Sequence, residues 1–256
     1  MCLIMLAWRE HPEVDLLLAA NRDEAFDRPS LDLHVWDTPA GIVGGRDRQA
    51  GGAWLAVHTN GRFGVVTNFR ETPPDNVTRS RGDLVPRWLS SGLSQAAFAE
   101  EIATAADDYA GFNLLYGDRQ NLYYATNRHS DHDSGPLPPG TYALSNALLD
   151  TPWPKVTAAR AYTQSAIRLG SIEPDHYFAF LRDRTQAQDE VLPEEPGSLE
   201  RRRLLSAPFI LGEHYGTRCS TLVSVGRTGE TVVTEQHYQP GGAPDRRHAL
   251  SLTLPR

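Results

Sequence analysis

A cysteine stands at position 2, directly after the initiator methionine. Removal of Met1, which is routine before a small residue, would give Cys2 a thiol and a free α-amine on one residue. A thiol of pKa about 8.5 is only a few per cent thiolate at neutral pH but strongly nucleophilic. An α-amine titrating near about 7.7–8.0 can take the thiol proton and later return one to a leaving amine. One residue would then supply both nucleophile and base. Taken alone, Cys2 also reads as a small hydrophobe opening a core strand.

Other polar residues stand where apolar runs end. Asn21-Arg22-Asp23-Glu24 closes the run Leu16–Ala20. Asp23 or Glu24 could stabilise an ammonium there, and Asn21, Arg22 and Glu24 are candidates to hold a substrate. Asn68 ends Val65-Val66-Thr67 and Asn146 ends Tyr142-Ala143-Leu144-Ser145. An asparagine amide suits an oxyanion, and loss of one such donor typically costs about 2.7–4 kcal/mol of transition-state stabilisation. It is equally a common turn residue. Arg218, in Tyr215-Gly216-Thr217-Arg218-Cys219, could hold a substrate carboxylate or fix Asp23. If it points into a cleft, strand alternation turns Cys219 to the other face, so no bridge to Cys2 is expected.

Two further patterns carry less. His129-Ser130-Asp131-His132-Asp133 has metal-binding residue types, but it stands alone in a polar stretch and reads as a solvated loop, so no metal site is expected. Gly44, Gly45, Gly51 and Gly52 lack the Lys-Ser/Thr of a phosphate loop and read as turn glycines.

The elements that must position these residues are mostly hairpins. Residues 2–8 pair with 14–21, and 54–58 pair with 63–68 across Thr59-Asn60-Gly61. Two further hairpins join 112–116 to 122–125 and 221–225 to 231–236, with 142–146 and 249–254 as additional strands. Helices are expected over 82–91, 94–107 (Ser94 as cap), 155–169 and 174–184. Residues 127–140 and 186–206 read as loops. Strands and helices in blocks favour antiparallel sheets covered by helices over alternating βαβ units. No repeat or linker divides the 256 residues, so one domain spanning 1–256 is expected.

With 25 basic against 32 acidic residues, the chain offers nothing to nucleic acid or an anionic membrane. No apolar run reaches the roughly 20 residues of a membrane helix, and the first residues lack a signal peptide's basic region. A cytoplasmic location is expected. Only one of the 25 basic residues, Lys155, is a lysine.

The motifs in order resemble one family. They are Met1-Cys2, Asn21-Arg22-Asp23-Glu24, Arg28-Pro29, Gly44-Gly45-Arg46-Asp47, Gly51-Gly52-Ala53-Trp54-Leu55, Thr67-Asn68-Phe69-Arg70, Ser80-Arg81-Gly82, Gly111-Phe112-Asn113 and Gly216-Thr217-Arg218-Cys219. Across nearly the whole chain they are similar to the NRDE-motif family, also called the transport and Golgi organisation 2 family. That family has no settled activity and has been connected with haem trafficking, lipid metabolism and stress.

More distantly, the layout resembles the choloylglycine hydrolases and penicillin V acylases. This implies an α+β fold, a four-layer αββα sandwich of antiparallel sheets of the N-terminal-nucleophile hydrolase kind. It also implies Cys2 as nucleophile, Asp23 as the catalytic aspartate, Asn68 and Asn146 at the oxyanion, and Arg218 as the late-strand arginine. Those enzymes carry Arg-Asn-x-Asp where this chain has Ala20-Asn21-Arg22-Asp23. The reading is an amidohydrolase acting on a linear amide of a small or acyl-bearing molecule, with no cofactor. The alternative is a carrier that kept the fold and pocket for haem or a lipid-like ligand.

Overall fold

In the computed structural model, the described residues are 2–72, 74, 77–128, 135–194 and 197–254, with the Cys2 side chain excluded. Thirteen strands and five α-helices are present among them. The strands are β1 (Cys2–Trp8), β2 (Val14–Ala25), β3 (Ser30–Val35), β4 (Ile42–Asp47), β5 (Leu55–His58), β6 (Phe63–Asn68), β7 (Phe112–Gly117), β8 (Leu122–Thr126), β9 (Gly135–Leu137), β10 (Gly140–Leu144), β11 (Tyr215–Gly226), β12 (Glu230–Tyr238) and β13 (Pro244–Thr253). The helices are α1 (Leu84–Ser90), α2 (Gln95–Thr104), α3 (Pro154–Arg168), α4 (Pro174–Leu181) and α5 (Leu199–Ser206).

Every strand pairing is antiparallel, in two sheets. One runs β10-β1-β2-β11-β12-β13 and the other β3-β4-β5-β6-β7-β8-β9. Strand alternation sorts their side chains into three cores. Ile4, Leu6, Leu18 and Val223 of the first sheet meet Val43, Leu55, Val65 and Leu115 of the second. The opposite face of the first sheet, with Leu3, Met5, Leu17, Ala19 and Leu222, packs on α3 and α4 through Val156, Ala159, Tyr177 and Phe178. The outer face of the second sheet, with Ala56, Val66, Leu114 and Tyr116, packs on α1 and α2 through Leu84, Trp88, Phe98 and Ile102. The layers are therefore helix, sheet, sheet, helix, as the resemblance implies.

The expected caps and breaks account for the helix ends. Ser94 accepts a hydrogen bond from Ala97 N at the start of α2, and Pro154 and Pro174 occupy first turns, where a missing N–H costs nothing. No helix of the described residues is long and apolar enough to cross a membrane.

Several expectations need correction. Residues 30–35 and 42–47 are strands that apolar patterning does not reveal, because β3 alternates only partly buried residues and β4 contains Gly44-Gly45. Gly45 is glycine for close approach, since a Cβ there would enter the Trp54 ring. Gly52 lies against the Gly82 carbonyl, with Ala53 N donating to it at 2.9 Å. Gly51, at φ +77°, is a true turn glycine. The stretch 127–140 contains β9, and 186–206 contains α5, capped by Ser198 accepting from Arg201 N. β10 stops at Leu144, so Asn146 lies two residues past the strand. The His129–Asp133 stretch lies outside the described residues.

Candidate active site

A cavity of about 290 Å³ opens at one end of the two sheets. From the first sheet it takes Arg22, Asp23 and Glu24 at the end of β2, and Tyr215 at the start of β11. Asp47 at the end of β4, Trp54 before β5, and Val66, Thr67 and Asn68 of β6 come from the second. Arg28 and the turn Ser80–Gly82 complete the wall. A site between sheet ends is what two strands in different layers build when both run out into polar residues.

Alternation divides the tetrapeptide of β2. Ala20 lies in the core between the sheets and Ala19 on the helix side. Arg22 continues the Ala20 face and Asn21 the Ala19 face. Asn21 is 1% exposed, and its Nδ2 donates to the carbonyls of Leu181 (2.8 Å) and Pro208 (2.9 Å) while its Oδ1 accepts from Ser220 Oγ at 2.5 Å. It ties β2 to the helix layer and does not line the cavity. Asp23 is buried, accepts from Thr217 Oγ1 at 2.6 Å, and its carbonyl accepts from the Tyr215 hydroxyl at 2.9 Å. Burial dominates its titration and holds the carboxyl above its ordinary value, against the charges of Lys155 and Arg22 and the Thr217 bond.

Arg22 lies 4.4 Å from the Trp54 ring centroid and donates from Nη2 to Asp47 Oδ2 at 3.2 Å. Asp47 also accepts from Arg28 Nε (2.5 Å) and Nη2 (3.2 Å), and from the backbone of Gln49 (3.0 Å) and Ala50 (2.8 Å). Burial is the largest single influence on Asp47 and pushes it up. The bonds from Arg28 and Ala50, with the charges of Arg28 and Arg22, outweigh that and hold it below the usual carboxylate range. Glu24 accepts from Ala25 N at 3.0 Å and lies 3.8 Å from Arg28.

Asn68 and Asn146 meet directly. Asn146 Nδ2 donates to Asn68 O at 2.9 Å and to its Oδ1 at 2.8 Å. Asn68 is thereby oriented with its own Nδ2 donating to no described residue. The turn carrying Asn146 is fixed in its turn: Thr67 Oγ1 donates to Ser145 O (3.0 Å), and Asn113 Nδ2 donates to Ala147 O (2.9 Å). Fully buried Asn113 accepts from Tyr124 OH at 2.7 Å. Asn146 thus does not line the cavity itself but orients Asn68, which does.

Arg218 lies beside the cavity without lining it. A β-bulge between Thr217 and Cys219 breaks the count by two, and Arg218 Nη1 donates to the carbonyls of Ala25 (2.7 Å) and Arg28 (3.0 Å). It braces the turn that presents Arg28. Thr217, not Arg218, bonds Asp23. Cys219 is a free, buried thiol beside Glu235, and burial pushes it well up. The backbone of Cys2 pairs with Arg22, while its side chain lies outside the described residues. β1 pairs Ile4 with Leu144, so the chain leaves β10 toward Asn146 at the same end of the sheet at which β1 begins.

Sequence reasoning assigned no role to Asp47, Arg28, Trp54, Thr67 or Tyr215, which build much of the wall. A signal was present: an arginine before Pro29 and an aspartate before a glycine-rich turn are charges placed where the chain bends. Among the described residues, no group of three His, Cys, Asp or Glu could hold a metal ion.

Fold and cavity together define a two-sheet, helix-covered protein with a small polar cavity at the sheet ends. The chain belongs to the family described as Transport and Golgi organisation 2, whose family model matches residues 1–240. It is 31% identical over 256 residues to the Transport and Golgi organization 2 homolog of Mus musculus, covering 92% of each chain. It is 32% identical to the Homo sapiens homolog at the same coverage. Among solved structures it is similar to the C2A mutant of a conjugated bile acid hydrolase from Clostridium perfringens. There the TM-score is 0.46 and the identity 9%, over 98% of this chain and 92% of that one.

Proposed function

We propose that this chain is an amidohydrolase in which Cys2, freed of Met1, attacks a linear amide bound in the cavity between the sheet ends. The observation that carries this reading is the Asn68 amide. Its oxygen is occupied by buried Asn146, which leaves its N–H₂ as a fixed donor in the wall of a cavity at the end of the sheet where β1 begins.

The Cys2 thiol adds to the amide carbonyl carbon, and its proton passes to the α-amine. Negative charge builds on the carbonyl oxygen, where Asn68 Nδ2 donates. Such preorganised donation is worth more out of bulk water than in it. The ammonium returns its proton to the nitrogen as the C–N bond breaks, leaving a thioester. Water, deprotonated by the same amine, releases the acid and restores the thiol. Asp23, on the strand whose Arg22 pairs with Cys2, would hold the ammonium form when ionised. Ala20 stands where the amidohydrolases carry arginine, and Arg22 reaches the cavity from the same face two residues on.

A haem carrier draws less support. The described lining contains no histidine, and Tyr215 already donates its hydroxyl to Asp23, so a haem iron would have to take the same Cys2 thiol that the amidohydrolase reading uses as nucleophile. The volume also stands at the lower end of the roughly 300–1,000 Å³ of ligand pockets. The test compares chains with and without Met1 for acylation by an activated acyl ester. The processed chain should label at Cys2 well ahead of Cys219, and retention of Met1 should suppress this. Equal labelling of both forms, no faster than a free peptide thiol, would overturn the reading.

A further inference from the structure

Arg22 stands out among the cavity's charged groups for what it leaves unused. It is 5% exposed, yet of its five N–H donors only one, on Nη2, meets a described residue, Asp47. A buried guanidinium ordinarily satisfies its donors, because each one left bare in a dry site costs free energy. None of the remaining Arg22 nitrogens is sealed from access, and the space they adjoin is the cavity.

Its position is fixed from two sides. The Trp54 ring lies against it, in room created by the missing Cβ of Gly45, and Asp47 holds one nitrogen. Asp47 does not absorb the remaining donors. Its oxygens also receive Arg28 twice and two backbone N–H groups, which hold it in place facing Arg28. The result is a preorganised planar fork on a rigid strand, in a cavity that also presents the unused Nδ2 of Asn68. Lysine could not fill this place, since a point ammonium neither stacks as a plane nor offers paired donors.

We propose that Arg22 anchors an anionic oxygen group of the ligand, a carboxylate or a phosphate, so that the molecules taken by this cavity carry such a group within a few atoms of the bond placed at Asn68. This rests on the reading of the cavity as the substrate site, but its test needs no turnover. Arg28 and Arg81 add positive charge to the same wall. Asp23 and Glu24 are the acidic groups there that Arg22 does not bond.

The experiment uses the full chain with Cys2→Ala, so that nothing is consumed, and titrates two matched pairs by calorimetry. One pair is N-octanoylglycine and N-octanoylglycinamide; the other is octyl phosphate and octanol. At least one anionic member should bind ten-fold or more tightly than its neutral partner, and the arm that does so tells carboxylate from phosphate. Adding Arg22→Met should erase that preference, and Arg22→Lys should retain part of it. Because Arg22→Met leaves Asp47 short of one partner and could impair folding, the salt dependence of the unsubstituted-Arg22 chain gives a second reading. The preference should shrink between low salt and 0.5 M, as charge-based recognition does. Equal binding of charged and neutral partners, absence of binding by both anions, or a preference that survives Arg22→Met in a folded chain would each overturn the proposal. Hydrolysis is scored separately on the processed wild-type chain. Intact preference without cleavage would refute the amidohydrolase alone, and cleavage without preference would refute the Arg22 anchor alone.

Discussion

Asp23 and Asp47 reach the same cavity from different sheets, Asp23 the more deeply buried of the two, and their carboxyls are moved in opposite directions. Asp47 closes β4, where Arg28 and the backbone N–H groups of the turn that follows converge on its carboxylate and hold it below the usual carboxylate range. Asp23 lies inside β2, opposite Thr217 of β11. Its carboxyl accepts from the Thr217 hydroxyl, and burial prevails over the groups that would lower it. A carboxylate surrounded by turn amides and arginines serves as a fixed charge that shapes the wall. One buried with fewer compensating groups is held above the usual carboxylate range.

The sharpest way to break this comparison is to neutralise each in turn. Asp47→Asn leaves Arg22 buried without its countercharge and should destabilise the fold by about 3–5 kcal/mol, measured by urea unfolding. A loss under 1 kcal/mol would show that Asp47 is not the tie. Gly45→Ala forces a methyl into the Trp54 ring and should cost about 1–3 kcal/mol through overpacking, with a loss of Arg22–Trp54 stacking visible in tryptophan fluorescence. Asp23→Asn keeps the acceptor for Thr217 and should change stability by about 1 kcal/mol or less, while slowing Cys2 acylation.

The pH dependence of stability sharpens the same contrast. The folded pKa of Asp47 lies below its ordinary 3.8, so its stabilisation is present above that value and fades as pH falls through the lower one. For Asp23 the folded pKa lies above 3.8, so a cost to folding appears as pH rises from 3.8 through the raised value. Asp23→Asn should remove that second slope and Asp47→Asn the first. Identical profiles for the two variants would contradict the comparison.

Much of this was legible in the chain. The end of β6 at Asn68 follows from an apolar run that stops at a polar residue. By contrast, β2 continues through Asn21-Arg22-Asp23-Glu24 to Ala25, and its pairing with β11 there turns Asn21 to the helix layer instead of the substrate. Asp47 was not legible, because its partners Arg28 and Arg22 are brought to it only when β2 and β4 come together from different sheets. The Arg218 bulge was hidden for the same reason: nothing in Thr217-Arg218-Cys219 marks an extra residue. The union of Asn68 with Asn146, 78 residues apart, is likewise a product of the two sheets meeting.

The central claim is that Cys2 is acylated at a site where Asn68 stabilises the oxyanion. Its most direct measurement is intact-mass and peptide mapping of the processed chain during pre-steady-state reaction with an acyl amide, in wild type, Cys2→Ala and Asn68→Ala. A thioester on Cys2 should accumulate in wild type, vanish in Cys2→Ala, and form about 10²–10³-fold more slowly in Asn68→Ala. An acyl group on another residue, or equal rates in wild type and a folded Asn68→Ala chain, would contradict it.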